Sequence, residues 1–121
     1  MKVSYIELLG EKHPMCFSLA ASERIDEEFG SVDAMLDELH SKELRRIAKA
    51  ADKVIQILMH AGRIYMGALG EPLPPPIPCR PADLIAVTDQ ESIQAIFSTM
   101  KEDSAQEVVA ESKNAEATQG L

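Results

Sequence analysis

Residues 71–81, Glu71-Pro72-Leu73-Pro74-Pro75-Pro76-Ile77-Pro78-Cys79-Arg80-Pro81, constrain this chain more than any other stretch, because they hold six of its seven prolines. Proline has no amide donor, fixes its own φ and turns its predecessor away from helix, so neither a helix nor a central strand can run through the segment. The segment is therefore a stiff, extended spacer between helices. Its other chemical use would be as a ligand for an aromatic-lined groove.

What precedes the spacer has to supply most of the core. Leu44, Ile47, Ala48, Ala51, Ile55, Leu58, Gly62 and Tyr65 recur at the helical period and predict one long helix over residues 41–69 with a continuous core seam. In its second half Ile57, Ala61, Ile64 and Ala68 add a second apolar stripe, which needs a cover from this chain or from another molecule. After the spacer, Pro81 suits the first turn of a short helix reaching Val87. Thr88-Asp89-Gln90-Glu91 then has the form of a capping box that opens a last helix carrying Ile93, Ile96, Phe97 and Met100. This ridge is the expected cover. Ile57, Ala61, Ile64, Ala68, Ile93, Phe97 and Met100 together are the candidate partner-binding surface.

The N-terminal residues predict different elements. Residues 2–9 alternate imperfectly and a second short run spans 13–17, which gives a β-hairpin with Gly10 in its turn. A lone hairpin is marginal in water, so its apolar face must rest on helices. Ser18 caps a helix running to Phe29, with Leu19, Ala21, Ile25 and Phe29 largely on one face and Gly30 as its stop. Ser31 opens another through Leu39, turning Val32, Met35, Leu36 and Leu39 inward. A chain of 121 residues is enough for one folding unit, and with no Trp and 4% aromatic residues its core is filled by Leu, Ile, Ala and Met. The expected fold is α+β, mainly α: an N-terminal β-hairpin packed on a small helical bundle. One domain covers 1–102, with the spacer inside it, and 103–121 form a disordered acidic tail carrying Asp103, Glu107, Glu111 and Glu116.

Chemistry-bearing residues do not converge in the sequence. His13, His40 and His60 fall on a turn, a helix end and a polar helix face, none with a partner at metal-ligand spacing. Cys16 and Cys79 form no Cys-x-x-Cys pair, and Cys16 suits a small packed side chain. No phosphate-binding loop or nucleophile motif occurs, and the run Asp26-Glu27-Glu28 is a solvated surface. The expectation is a protein that is no enzyme and takes no cofactor and no metal. A net charge of −8 disfavours phosphate backbones, and no run approaches the roughly 20 apolar residues of a membrane span. Against that acidity, Lys42, Arg45, Arg46, Lys49 and Lys53 recur at spacings that line one face of the long helix. This basic face suits either the acidic region 23–38 of the same fold, an acidic partner, or charge-matched self-association into a homo-oligomer.

The run Ile6-Glu7-Leu8-Leu9-Gly10-Glu11-Lys12-His13-Pro14-Met15-Cys16-Phe17-Ser18-Leu19-Ala20-Ala21, followed by Ile25-Asp26-Glu27-Glu28-Phe29-Gly30-Ser31, resembles the tail assembly chaperones of long-tailed bacteriophages and the related proteins of gene transfer agents. The similarity is one of order: a hairpin, a Leu-Ala-rich helix ending in acidic residues, Phe and Gly, a helix opened by Ser, a long helix and a C-terminal helical segment. It extends over about residues 2–100, and the spacer and the acidic tail depart from it. The resemblance implies a non-catalytic protein of the bacterial host cytoplasm. Such a protein coats the aggregation-prone tape measure protein during tail assembly, in longer forms also recruits the tail tube protein, and is absent from the finished tail. A structural or adaptor protein retained in the particle is the alternative, and a small nucleic-acid-binding regulator a more distant one.

Overall fold

A computed structural model describes residues 1–86 and 89–100. The expected tail 103–121, its boundary at 102, and Val87 and Thr88 lie outside the described residues.

The chain is α+β and mainly α. Strands β1 (Ser4–Leu8) and β2 (Glu11–Met15) pair antiparallel with Ile6 opposite His13 and Leu8 opposite Glu11. The two-residue loop Leu9-Gly10 has φ of 53° and 76°, the doubly left-handed turn whose twist matches a hairpin. Gly10 thus stands in the turn as expected, and beside it a leucine occupies a position that favours Asn or Gly.

Helix α1 (Leu19–Phe29) starts where Ser18 accepts the Ala21 amide at 3.1 Å and stops at Gly30, φ 94°, whose amide donates to the Asp26 carbonyl. Helix α2 (Val32–Leu39) repeats the device, Ser31 accepting from Ala34 at 2.9 Å. Both are too short to persist alone in water, so burial of Ala21, Ile25, Met35 and Leu39 holds them. Leu19, expected on the buried face, is 90% exposed. It stands at the first helical position, beyond the end of the contact that buries Ala21 and Ile25.

Helix α3 (Leu44–Ala68) is the spine, starting three residues later than the sequence predicts because the Ser41 hydroxyl accepts the Glu43 amide and holds a turn there. Its buried residues begin at Ala50 and continue to Gly62. The hairpin lies directly on this part. A Cβ at Gly62 would stand 2.2 Å from the Pro14 carbonyl oxygen, and the Cys16 amide donates to the Leu58 carbonyl at 3.1 Å. Glycine in the seam thus permits backbone to lie on backbone, which the periodic pattern could not distinguish from an ordinary apolar position. The same approach explains why His13, Pro14 and Met15 are buried in succession while β1 alternates. His13, expected in a turn, is a buried strand residue, 1% exposed.

The proline-rich segment is extended, as its composition requires, and it runs back along α3. Arg63 Nη1 donates to the Pro74 carbonyl at 2.7 Å, Leu73 lies against Gly67, and the buried Asp52 accepts the Ala82 amide and the Gln56 side chain, each at 3.0 Å. Pro81 opens a single 3₁₀ turn, Pro81–Asp83, not the longer helix expected to reach Val87. Residues 90–100 are helical (α4), and Asp89 accepts the Ser92 amide and hydroxyl at its start. One buried cluster joins the hairpin, α1, α2, α3 and α4 through Ile6, Ile25, Met35, Ile55, Leu58 and Ile96.

Candidate functional site

The seven residues expected to form one apolar surface separate into three environments. Ile57 and Ala61 are 3% and 9% exposed and Met100 is buried, so all three belong to the core. Ile57 sits on the helix beside Lys53, which reaches Glu28 of α1, so the second stripe begins on the side where α1 packs. Ile57 and Ala61, the start of the stripe, are thus buried in the core on the side of α3 that faces α1. Ile64, 61% exposed, and Ala68 lie past them. Ile93 and Phe97 are half-buried, and the Phe97 ring stacks on His40 at 5.2 Å, which fixes α4 near the end of α2.

Two apolar surfaces are left uncovered among the described residues. One is a cleft of about 380 Å³ between the end of α2, the first half of α3, the residues after the 3₁₀ turn and α4. Leu39, Leu44, Ile47, Ala51, Ile85 and Ile93 line it, with Leu44 61% exposed. Of these only Ile93 belonged to the surface expected from the sequence. Leu44 and Ile47 continue the core seam with unbroken spacing, and nothing in that spacing tells that the hairpin ends before reaching them. The other surface is smaller. α1 begins just after the bond from Cys16 to Leu58 and ends with Glu28 on Lys53, so it runs antiparallel to α3 and carries Leu19 toward the Ile64 end. Leu19, Ile64 and Leu69 are exposed there.

The basic residues form a third feature. Arg45, Arg46, Lys49 and Lys53 line a groove of about 570 Å³ with Glu28, Phe29, Glu38 and Ala50. Lys42 stands before α3 begins and is not part of it. Two of the cations are held within the fold. Arg46 donates to both carboxylate oxygens of Glu38, and Lys53 meets Glu28 at 2.6 Å. The hydrogen bond from Lys53, reinforced by its charge, lowers the Glu28 pKa, and that from Arg46 lowers Glu38 and raises Arg46 in turn. The acidic region of α1 and α2 thus meets part of the basic face, as charge matching required. Arg45 and Lys49 enter no ion pair among the described residues.

Groups capable of acid–base or metal chemistry stay dispersed. His13 is buried with Nδ1 unpartnered, His40 Nδ1 donates to the Leu36 carbonyl at 2.8 Å, and His60 is exposed. Cys16 is buried and Cys79 exposed. Among the described residues no group of three or more His, Cys, Asp or Glu is placed to hold a metal ion, and no helix is long and apolar enough to cross a membrane. Comparisons with protein-family models, curated proteins and solved structures find no match to this chain.

Proposed function

We propose that this chain is a non-catalytic tail assembly chaperone of a long-tailed bacteriophage or a related particle, which holds the tape measure protein in soluble form in the host cytoplasm. The observation that carries the proposal is the open apolar cleft lined by Leu39, Leu44, Ile47, Ile85 and Ile93. A cleft walled by helices receives the apolar face of another helix, with anchors at three- and four-residue spacing. A tape measure chain is long and helical, so it offers such faces repeatedly. The order of hairpin, capped helices and long helix supports the same reading through the resemblance drawn from the sequence. Leu19 and Ile64 extend the apolar contact at the other end of α3.

The test is co-expression with the tape measure protein encoded beside it. The client is expected to become soluble and to co-purify, and Leu44→Glu with Ile47→Glu is expected to abolish co-purification while leaving the helical circular dichroism intact. A client equally soluble without this chain, or one that co-purifies equally with the double variant, sinks the proposal. Mass spectrometry of finished particles separates a departing chaperone from a retained adaptor, since the chaperone is expected to be absent.

A further inference from the structure

We infer that the groove between α1, α2 and the first half of α3 is a second docking site, which takes an acidic helical segment of a partner protein. Charge complementarity carries the inference. A chain of net charge −8 places four cations along one groove, and among the described residues only two of them enter ion pairs. The pairs Arg46–Glu38 and Lys53–Glu28 brace the walls, and Arg45 and Lys49 remain, four residues apart and so about one helical turn from each other. Phe29, half-buried, and the buried Ala50 supply apolar lining to the same groove.

The arrangement fits carboxylates spaced one turn apart on a helix, with a bulky apolar residue between them for Phe29. It does not fit a nucleic acid strand. Phosphate tracking needs a line of several uncommitted cations, and here two are left beside the carboxylates of Glu28 and Glu38. Because Arg45 and Lys49 do not line the apolar cleft, this site stands or falls independently of the chaperone reading.

The experiment is fluorescence anisotropy of the full chain with a labelled alanine-based helical peptide bearing two Glu residues one turn apart and a Leu between them. Controls are the same peptide with Lys for Glu, and a single-stranded oligothymidine. The acidic peptide is expected to bind, to weaken with added salt, and to lose about tenfold in affinity, roughly 1.4 kcal/mol, in the Arg45→Glu, Lys49→Glu double variant. Both residues are exposed, so the fold should persist, and circular dichroism checks it. Equal binding by the double variant or by the lysine peptide overturns the inference, as does binding of the oligonucleotide alone. So does binding that emerges only when Glu102, Asp103, Glu107, Glu111 and Glu116 are changed to amides, since the occupant is then this chain's own acidic segment. Self-association in sedimentation velocity that the same charge reversal abolishes assigns the groove to a second copy and overturns it too.

Discussion

The first turns of α3 and its middle share one core seam and meet opposite fates. From Leu44 to Lys49 no side chain is fully buried, while from Ala50 to Gly62 almost every turn is locked beneath the hairpin, α1 and the returning proline-rich segment. The helix itself is the same, so burial is set by what the rest of the chain can reach. Periodicity states which face is offered, and the partners' lengths decide how far it is taken up. Both the apolar cleft and the cations Arg45 and Lys49 lie on or beside these uncovered first turns.

The sharpest way to break this contrast is at Gly62. Any side chain there must displace the Pro14 backbone, so Gly62→Val is expected to cost about 3 kcal/mol or more and to lower the melting temperature by over 10 °C, on the order of 4–8 °C per kcal/mol. Gly67, whose nearest neighbour would be ordinary contact with Leu73, should show the reverse, Gly67→Ala stabilising by about 0.5–1 kcal/mol. Next in size is leucine truncation at the two ends of the helix. Leu58→Ala is expected to cost about 2–5 kcal/mol in urea unfolding and Leu44→Ala no more than about 0.5 kcal/mol. Equal costs would mean that Leu44 is covered and the cleft closed.

A smaller effect reads the hairpin side through pH. Burial, helped by the Arg63 charge and opposed by Glu11 and a backbone hydrogen bond to Leu8, pushes the His13 imidazole below its ordinary 6.5. The unfolded chain therefore takes up this proton first as pH falls. The stability present above about 6.5 is lost progressively on acidification, until the folded form protonates as well. Melting temperatures at neutral and mildly acidic pH should differ in the parent protein and differ less in His13→Phe; an unchanged difference removes His13 as its source. The smallest change is expected from Glu28→Gln, which frees Lys53 at the groove wall. Its pair is exposed, so the loss should shrink further with added salt, and a large salt-independent loss would show that the pair anchors α1 to α3.

Much of this architecture was legible before any coordinates. Ser18, Gly30 and Ser31 mark helix ends by chemistry that acts within four residues, and each is found where local rules place it. Proline content likewise decided the extended segment. What escaped were relations between distant residues. Nothing near His13 tells that β2 presses on Gly62, or that Ile57 and Ala61 are buried while Ile64 is not. Leu19 shows the same gap at a single position. The basic face was legible as a face, but which of its cations the fold would consume depended on where Glu28 and Glu38 came to rest.

The proline-rich return along α3 also acts as a ruler. An extended chain covers about 3.1 Å per residue and a helix about 1.5 Å, so residues 71–81 are long enough to retrace the whole climb from Asp52 to Leu69 with about three-fifths as many residues. Tied at Arg63 and again at Asp52, the segment fixes how far back α4 begins, and hence which part of α3 it stands beside. Lengthening or shortening it by one residue would slide that last helix by about 3 Å along the spine. The width of the apolar cleft is thus gauged by the length of a segment that contributes no side chain to its walls.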